Sequence, residues 1–166
     1  MDGWDNFFVA MAGAAVAFAG LVLVSVSINL ERIIEQPGLV SRSAEPLVVL
    51  FTLFVASSII LIPDQRISFY GYELLVLAIA FAITIGKVLH SQHEQAIQSA
   101  KAGIAPGNSF RFRFSLCAIT TIALLASGTT LALGNEKGTF LLVPAVVTGF
   151  LLCFVEAWVL LIEIDR

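Results

Sequence analysis

Long apolar runs broken by short polar stretches dominate this chain. From Phe7 to Ile28 there is no charged residue for 22 positions. As an α-helix, a run of that length crosses a hydrocarbon core of about 30 Å at roughly 1.5 Å per residue. Four further runs follow, at 46–63, 67–89, 114–134 and 140–162. Pro37-Gly38 is expected to end the first helix after about two extra turns. Ser43 is the expected N-cap of the second helix, with Pro46 in its first turn, where a missing N–H costs little. Pro63 closes that helix. The turn Asp64-Gln65-Arg66 and the link Asn135–Gly138 are so short that the helices on either side of each must return antiparallel. The pattern therefore predicts an all-α, polytopic transmembrane helical bundle of five spans, one helix plus two antiparallel hairpins, forming a single domain over residues 1–166. The two hairpins share a faint echo, Ala56-Ser57-Ser58 against Ala126-Ser127-Gly128, of a kind that also arises by chance among apolar residues. Residues 90–113 are the one long polar connection. Their helix-forming start carries the third helix into water as a helical cytoplasmic loop, as far as Gly103 and Pro106-Gly107.

Small residues sort the faces of the first run. Gly13, Ala17 and Gly20 lie with Ala10 and Ala14 on one helical face, and Ala12, Ala15 and Ala19 on another. Lipid tails gain nothing from such faces, whereas neighbouring helices gain close backbone approach. The first helix is accordingly expected to sit between neighbours, with Gly13, Ala17 and Gly20 as its packing positions.

Composition agrees with the membrane class and narrows the partners. The chain is 58% hydrophobic and 13% charged, with a mean hydropathy of +0.96, outside the range of soluble domains. The first run is too long for a signal-peptide core and has an acidic leader, Asp2 and Asp5, so it is expected to be retained. Seven basic residues (Arg32, Arg42, Lys87, Lys101, Arg111, Arg113 and Arg166) fall on one side of the five-span layout, and two (Arg66 and Lys137) on the other. That bias puts the N-terminus outside and the C-terminus in the cytoplasm. Net charge is −3 with no basic cluster, which gives no case for nucleic acid. Cys117 and Cys153 lie within apolar runs and read as buried free thiols.

Candidate chemistry is sparse. Glu156 falls inside the last run, where an ionisable group is costly and faces an interior or a water path. Its expected partner is Lys87, at a similar depth near the same surface; the alternative is a set of hydroxyls from Thr120, Thr121 or Ser127. Glu73, Ala80, Thr84 and Lys87 form a small, polar stripe down the third helix that would suit a water path. Tyr70 and Tyr72, near its start, suit an interface belt. His90, His93 and Glu94 share a helical face, but the order is not that of a zinc protease and no second cluster completes a shell. A solvated helix is the default there. Phe110, Arg111, Phe112 and Arg113 read as an interfacial anchor. No nucleophile has a span-embedded base, and no cofactor or metal is expected.

The segments Trp4-Asp5-x-Phe7-Phe8, Gly13-Ala14-Ala15, Ser25-Val26-Ser27-Ile28-Asn29-Leu30-Glu31-Arg32, Pro37-Gly38-Leu39 and Arg42-x-Ala44-Glu45 resemble a group of small bacterial multi-span membrane proteins. Some of these are labelled modulator of FtsH protease. The resemblance covers about the first 60 residues and implies a bacterial cytoplasmic (inner) membrane protein, with no catalytic residues to carry over. The expected function is a non-enzymatic accessory or regulatory subunit that packs in the lipid bilayer with itself, as a homo-oligomer, or with another membrane protein such as a membrane protease. The alternative is a homo-oligomeric channel or transporter that uses Glu156 and the Glu73–Lys87 stripe.

Overall fold

A computed structural model describes residues 3–28, 30–35, 37–101 and 109–163. The chain is all-α, with helices α1 (Asp5–Ile28), α2 (Leu30–Glu35), α3 (Pro37–Ile60), α4 (Ile67–Lys101), α5 (Ser109–Ala132) and α6 (Leu142–Glu163), and a short 3-10 helix at Glu136–Leu141. Among the described residues five helical segments are long and apolar enough to cross a membrane: Asp5–Ile28, Ser43–Ile60, Ile67–Glu94, Phe112–Ala132 and Glu136–Trp158.

Helices α3 to α6 form a ring in which each packs on the next and α6 returns to α3. This is an up-down-up-down four-helix bundle. The expected hairpins α3/α4 and α5/α6 are present, and α4 also packs extensively along α5. The interior is filled by Val49, Leu50, Leu53, Leu74, Leu124, Leu131, Leu142 and Leu152, all essentially inaccessible.

Three sequence expectations change. The helix expected to begin near Pro46 begins at Pro37, which serves as a first-turn proline there. Ser43 is therefore inside α3 and donates to the Val40 carbonyl at 3.0 Å rather than capping. Tyr70 is buried and donates to the Ile62 carbonyl, while Tyr72 is exposed as an interface tyrosine would be. The stops assigned to Gly103 and Pro106-Gly107 lie outside the described residues.

The third change concerns α1, which lies at the edge of the bundle against α3 and, to a lesser extent, α6. Three of its 24 residues are buried, against more than half of the α3 span. Its buried seam is Phe8, Ala15 and Val22, spaced by sevens, as for a helix lying along one neighbour. Gly13, Ala17 and Gly20 are exposed, and a Cβ added at Gly13 or Gly20 would meet nothing within 4 Å. The glycines that bring helices together are others. A Cβ at Gly71 of α4 would stand 2.0 Å from the Ala132 nitrogen of α5, one at Gly128 of α5 would meet Leu75, and one at Gly149 of α6 would meet Val49 and Leu53. Close approach at small residues holds the ring, and the bulkier seam holds α1.

Turn chemistry fits the short links. Gly134 ends α5 at φ +80, donating to the Leu131 carbonyl at 2.8 Å while Asn135 donates to Thr130 at 3.2 Å. That is the paired bonding of a glycine-capped helix end. The Asn135 side chain then accepts from the Lys137 N–H at 3.0 Å and starts the 3-10 helix. In the other turn Asp64 takes a left-handed φ of 57, which a short polar side chain tolerates.

Candidate functional site

Antiparallel alternation puts the starts of α3 and α5 and the later parts of α4 and α6 at the same end of the bundle. Each of the four helices contributes one polar side chain there: Glu45, Gln92, Arg113 and Glu156. All are buried, and the two carboxylates are fully inaccessible. Burial of charge on this scale is tolerable only with pairing and hydrogen bonds.

Arg113 is the hub. One terminal nitrogen donates to Glu45 Oε2 and, at 2.8 Å, to Gln92 Oε1. The Gln92 amide in turn donates to Glu45 Oε2 at 3.0 Å, closing a ring of hydrogen bonds across α3, α4 and α5. Arg113 Nε forms an ion pair with Glu156 Oε1 from α6. A guanidinium suits this position because its planar fork addresses several acceptors in different directions at once. Two thiols line the cluster: Cys117 Sγ contacts Glu45 Oε1 at 3.5 Å, and Cys153 Sγ contacts the Pro46 carbonyl at 3.5 Å. Both cysteines are free.

Glu156 is therefore an interior charge with a cationic partner, but the partner is Arg113 rather than Lys87. The pairing with Lys87 fails because α4 and α6 stand diagonally across the ring, and because Lys87 lies on the exposed face of α4. The alternative hydroxyl partners are engaged elsewhere. Thr120 bonds Thr148 at 2.8 Å, Thr121 donates to the Cys117 carbonyl at 2.8 Å, and Ser127 donates to the Gly138 carbonyl at 2.8 Å.

The proposed stripe on α4 also faces outward. Ala80, Thr84 and Lys87 are exposed and Glu73 is half-buried, while the inward face runs through Tyr70, Leu74, Ala78, Phe81, Ile85 and Leu89. Thr84 satisfies its hydroxyl on the Ala80 carbonyl at 2.8 Å. Glu156 and the stripe thus line no common path within the chain. His90 pairs with Glu94 at 3.3 Å on an exposed helical surface, and the described residues contain no group of three or more acidic, histidine or cysteine side chains placed to hold a metal.

Nothing in the sequence pattern places Glu45, Gln92 or Arg113 in an interior site. Arg113 read as an interfacial anchor because it directly precedes an apolar run, and its neighbours Phe112 and Phe114 do face outward. The available signal was chemical. An acid inside the last run needs a cation, and Arg113 stands at the mouth of the adjacent helix. Compared with protein-family models, curated proteins and solved structures, the chain gives no match.

Proposed function

We propose that this protein is a non-enzymatic, multi-pass subunit of the bacterial cytoplasmic membrane that acts by packing through α1 against a second copy or another membrane protein. The observation that carries the reading is the uncovered face of α1. Gly13, Ala14, Ala17 and Gly20 point away from the chain's own bundle, although such residues gain most when another helix approaches closely. The interior supports the non-enzymatic part, since the polar groups of the four-helix cluster are directed at one another. The resemblance in the first part of the chain suggests a membrane protease as one partner class. The seven-to-two distribution of basic residues supports a cytoplasmic location for the cluster end, with the N-terminus outside.

The test is the mass of the full chain purified in mild detergent, for wild type and for Gly13→Leu and Ala17→Leu. The wild type should run as an oligomer or with a stoichiometric membrane partner. The variants should release it while keeping the wild-type unfolding temperature, because the face is not part of the chain's own core. A wild type that is monomeric and free of partners, or variants that stay assembled, would overturn the proposal.

A further inference from the structure

A groove of about 350 Å³ runs between α3 and α4 on the outside of the bundle. Leu47, Phe51, Leu77 and Ala80 line it together with Thr52 and Thr84, whose hydroxyls are turned to the Val48 and Ala80 carbonyls at 2.8 Å, so its walls are largely apolar. It opens outward through the exposed Phe51, Ala80 and Thr84. Lys87 follows Ala80 by seven residues, which returns a helix to within about 20° of the same azimuth and about 10 Å further along. That direction leads towards the Arg113 cluster end of the bundle. Lys87 is exposed, and it forms no ion pair with a described residue.

We propose that this groove binds one anionic phospholipid, with an acyl chain lying between Phe51 and Ala80 and the phosphate at Lys87. The apolar walls suit a hydrocarbon chain, and an ammonium on a flexible stem, set just below the surface, reaches up to the headgroup layer. Charge complementarity selects the headgroup, because a lysine near the membrane surface attracts anionic over zwitterionic lipid. This also accounts for a lysine on the outward face of a transmembrane helix, where an unneutralised charge is costly.

The experiment is native mass spectrometry of the full chain released from mixed micelles holding equal phosphatidylglycerol and phosphatidylcholine. Wild type should retain one phosphatidylglycerol in preference to phosphatidylcholine by about fivefold, the bias expected from a single lysine near the surface. Lys87→Gln should retain lipid without preference, and Lys87→Arg should keep the preference. Ala80→Phe, which fills the groove from an exposed position, should lose the bound lipid at an unchanged unfolding temperature. Equal retention of the two lipids by wild type would overturn the proposal. So would a preference that survives Lys87→Gln, or lipid that survives Ala80→Phe.

Discussion

Replacing Arg113 with Met keeps the length and apolar stem of the side chain and removes the one cation joining Glu45, Gln92 and Glu156. Both carboxylates are fully buried, so water does not take over the lost contacts. Breaking a buried pair by deleting one partner costs about 3–5 kcal/mol, because the other charge is left uncompensated. Here two carboxylates are left, together with a glutamine that loses its donor, so the upper part of that range is expected. Removing the whole charge set at once should hurt less. A triple variant, Arg113→Met with Glu45→Met and Glu156→Met, leaves no buried ion and should recover most of the loss, since apolar replacement of a buried ion set at similar volume is often nearly neutral. The assay is equilibrium unfolding of the detergent-solubilised chain, with Lys87→Met as the control at an exposed site, where a change within about 0.5 kcal/mol is expected. A triple variant less stable than Arg113→Met, with losses that simply add, would refute the argument, because side chains acting as one network must couple.

Gly71→Ala should destabilise by about 1–3 kcal/mol, since its Cβ would meet the Ala132 backbone and force α4 and α5 apart; an unchanged unfolding midpoint would contradict the tight crossing. Glu73→Met should stabilise by about 1 kcal/mol, because it keeps the side chain's length and removes a shielded carboxylate oxygen that has no hydrogen-bond partner among the described residues; the same unfolding assay decides it, and any loss counts against it. Reporter fusions at Arg166 and within Asn135–Gly138 should give opposite signals, and matching signals would rule out the proposed topology.

The fold was largely legible because membrane solvation imposes length and hydropathy on every span. The runs at 67–89 and 140–162 fall within α4 and within the 3-10 helix plus α6, and the short links do return the chain antiparallel. Where reading failed, local signals competed with context. Ser43 before Pro46 looked like a helix start, but Pro37 is as good a first-turn residue and the chain between them can stay helical. Small residues at 3.6-residue spacing mark faces that can approach closely, but they do not say whether the neighbour belongs to the same chain. Gly71, Gly128 and Gly149 approach their own bundle, whereas Gly13 and Gly20 do not.

The site was half legible for a different reason. Glu156 stands inside an apolar run, so the energetic cost of its charge could be read directly from the sequence. Glu45 and Arg113 stand at the edges of their runs, where a charged residue normally reaches water and costs little. Their burial arises only when four helix ends close over one another, which no single segment encodes. Neutralisation gives the rule that would have found them. A buried acid on one helix of an up-down bundle needs its cation at the same depth on an adjacent helix, and α5 is adjacent to α6 by virtue of the short Asn135–Gly138 link. Lys87 met the depth requirement from the diagonal helix, where α3 and α5 stand between. Arg113 met both requirements, and its reach then drew in Glu45 from a third helix and Gln92 from the fourth.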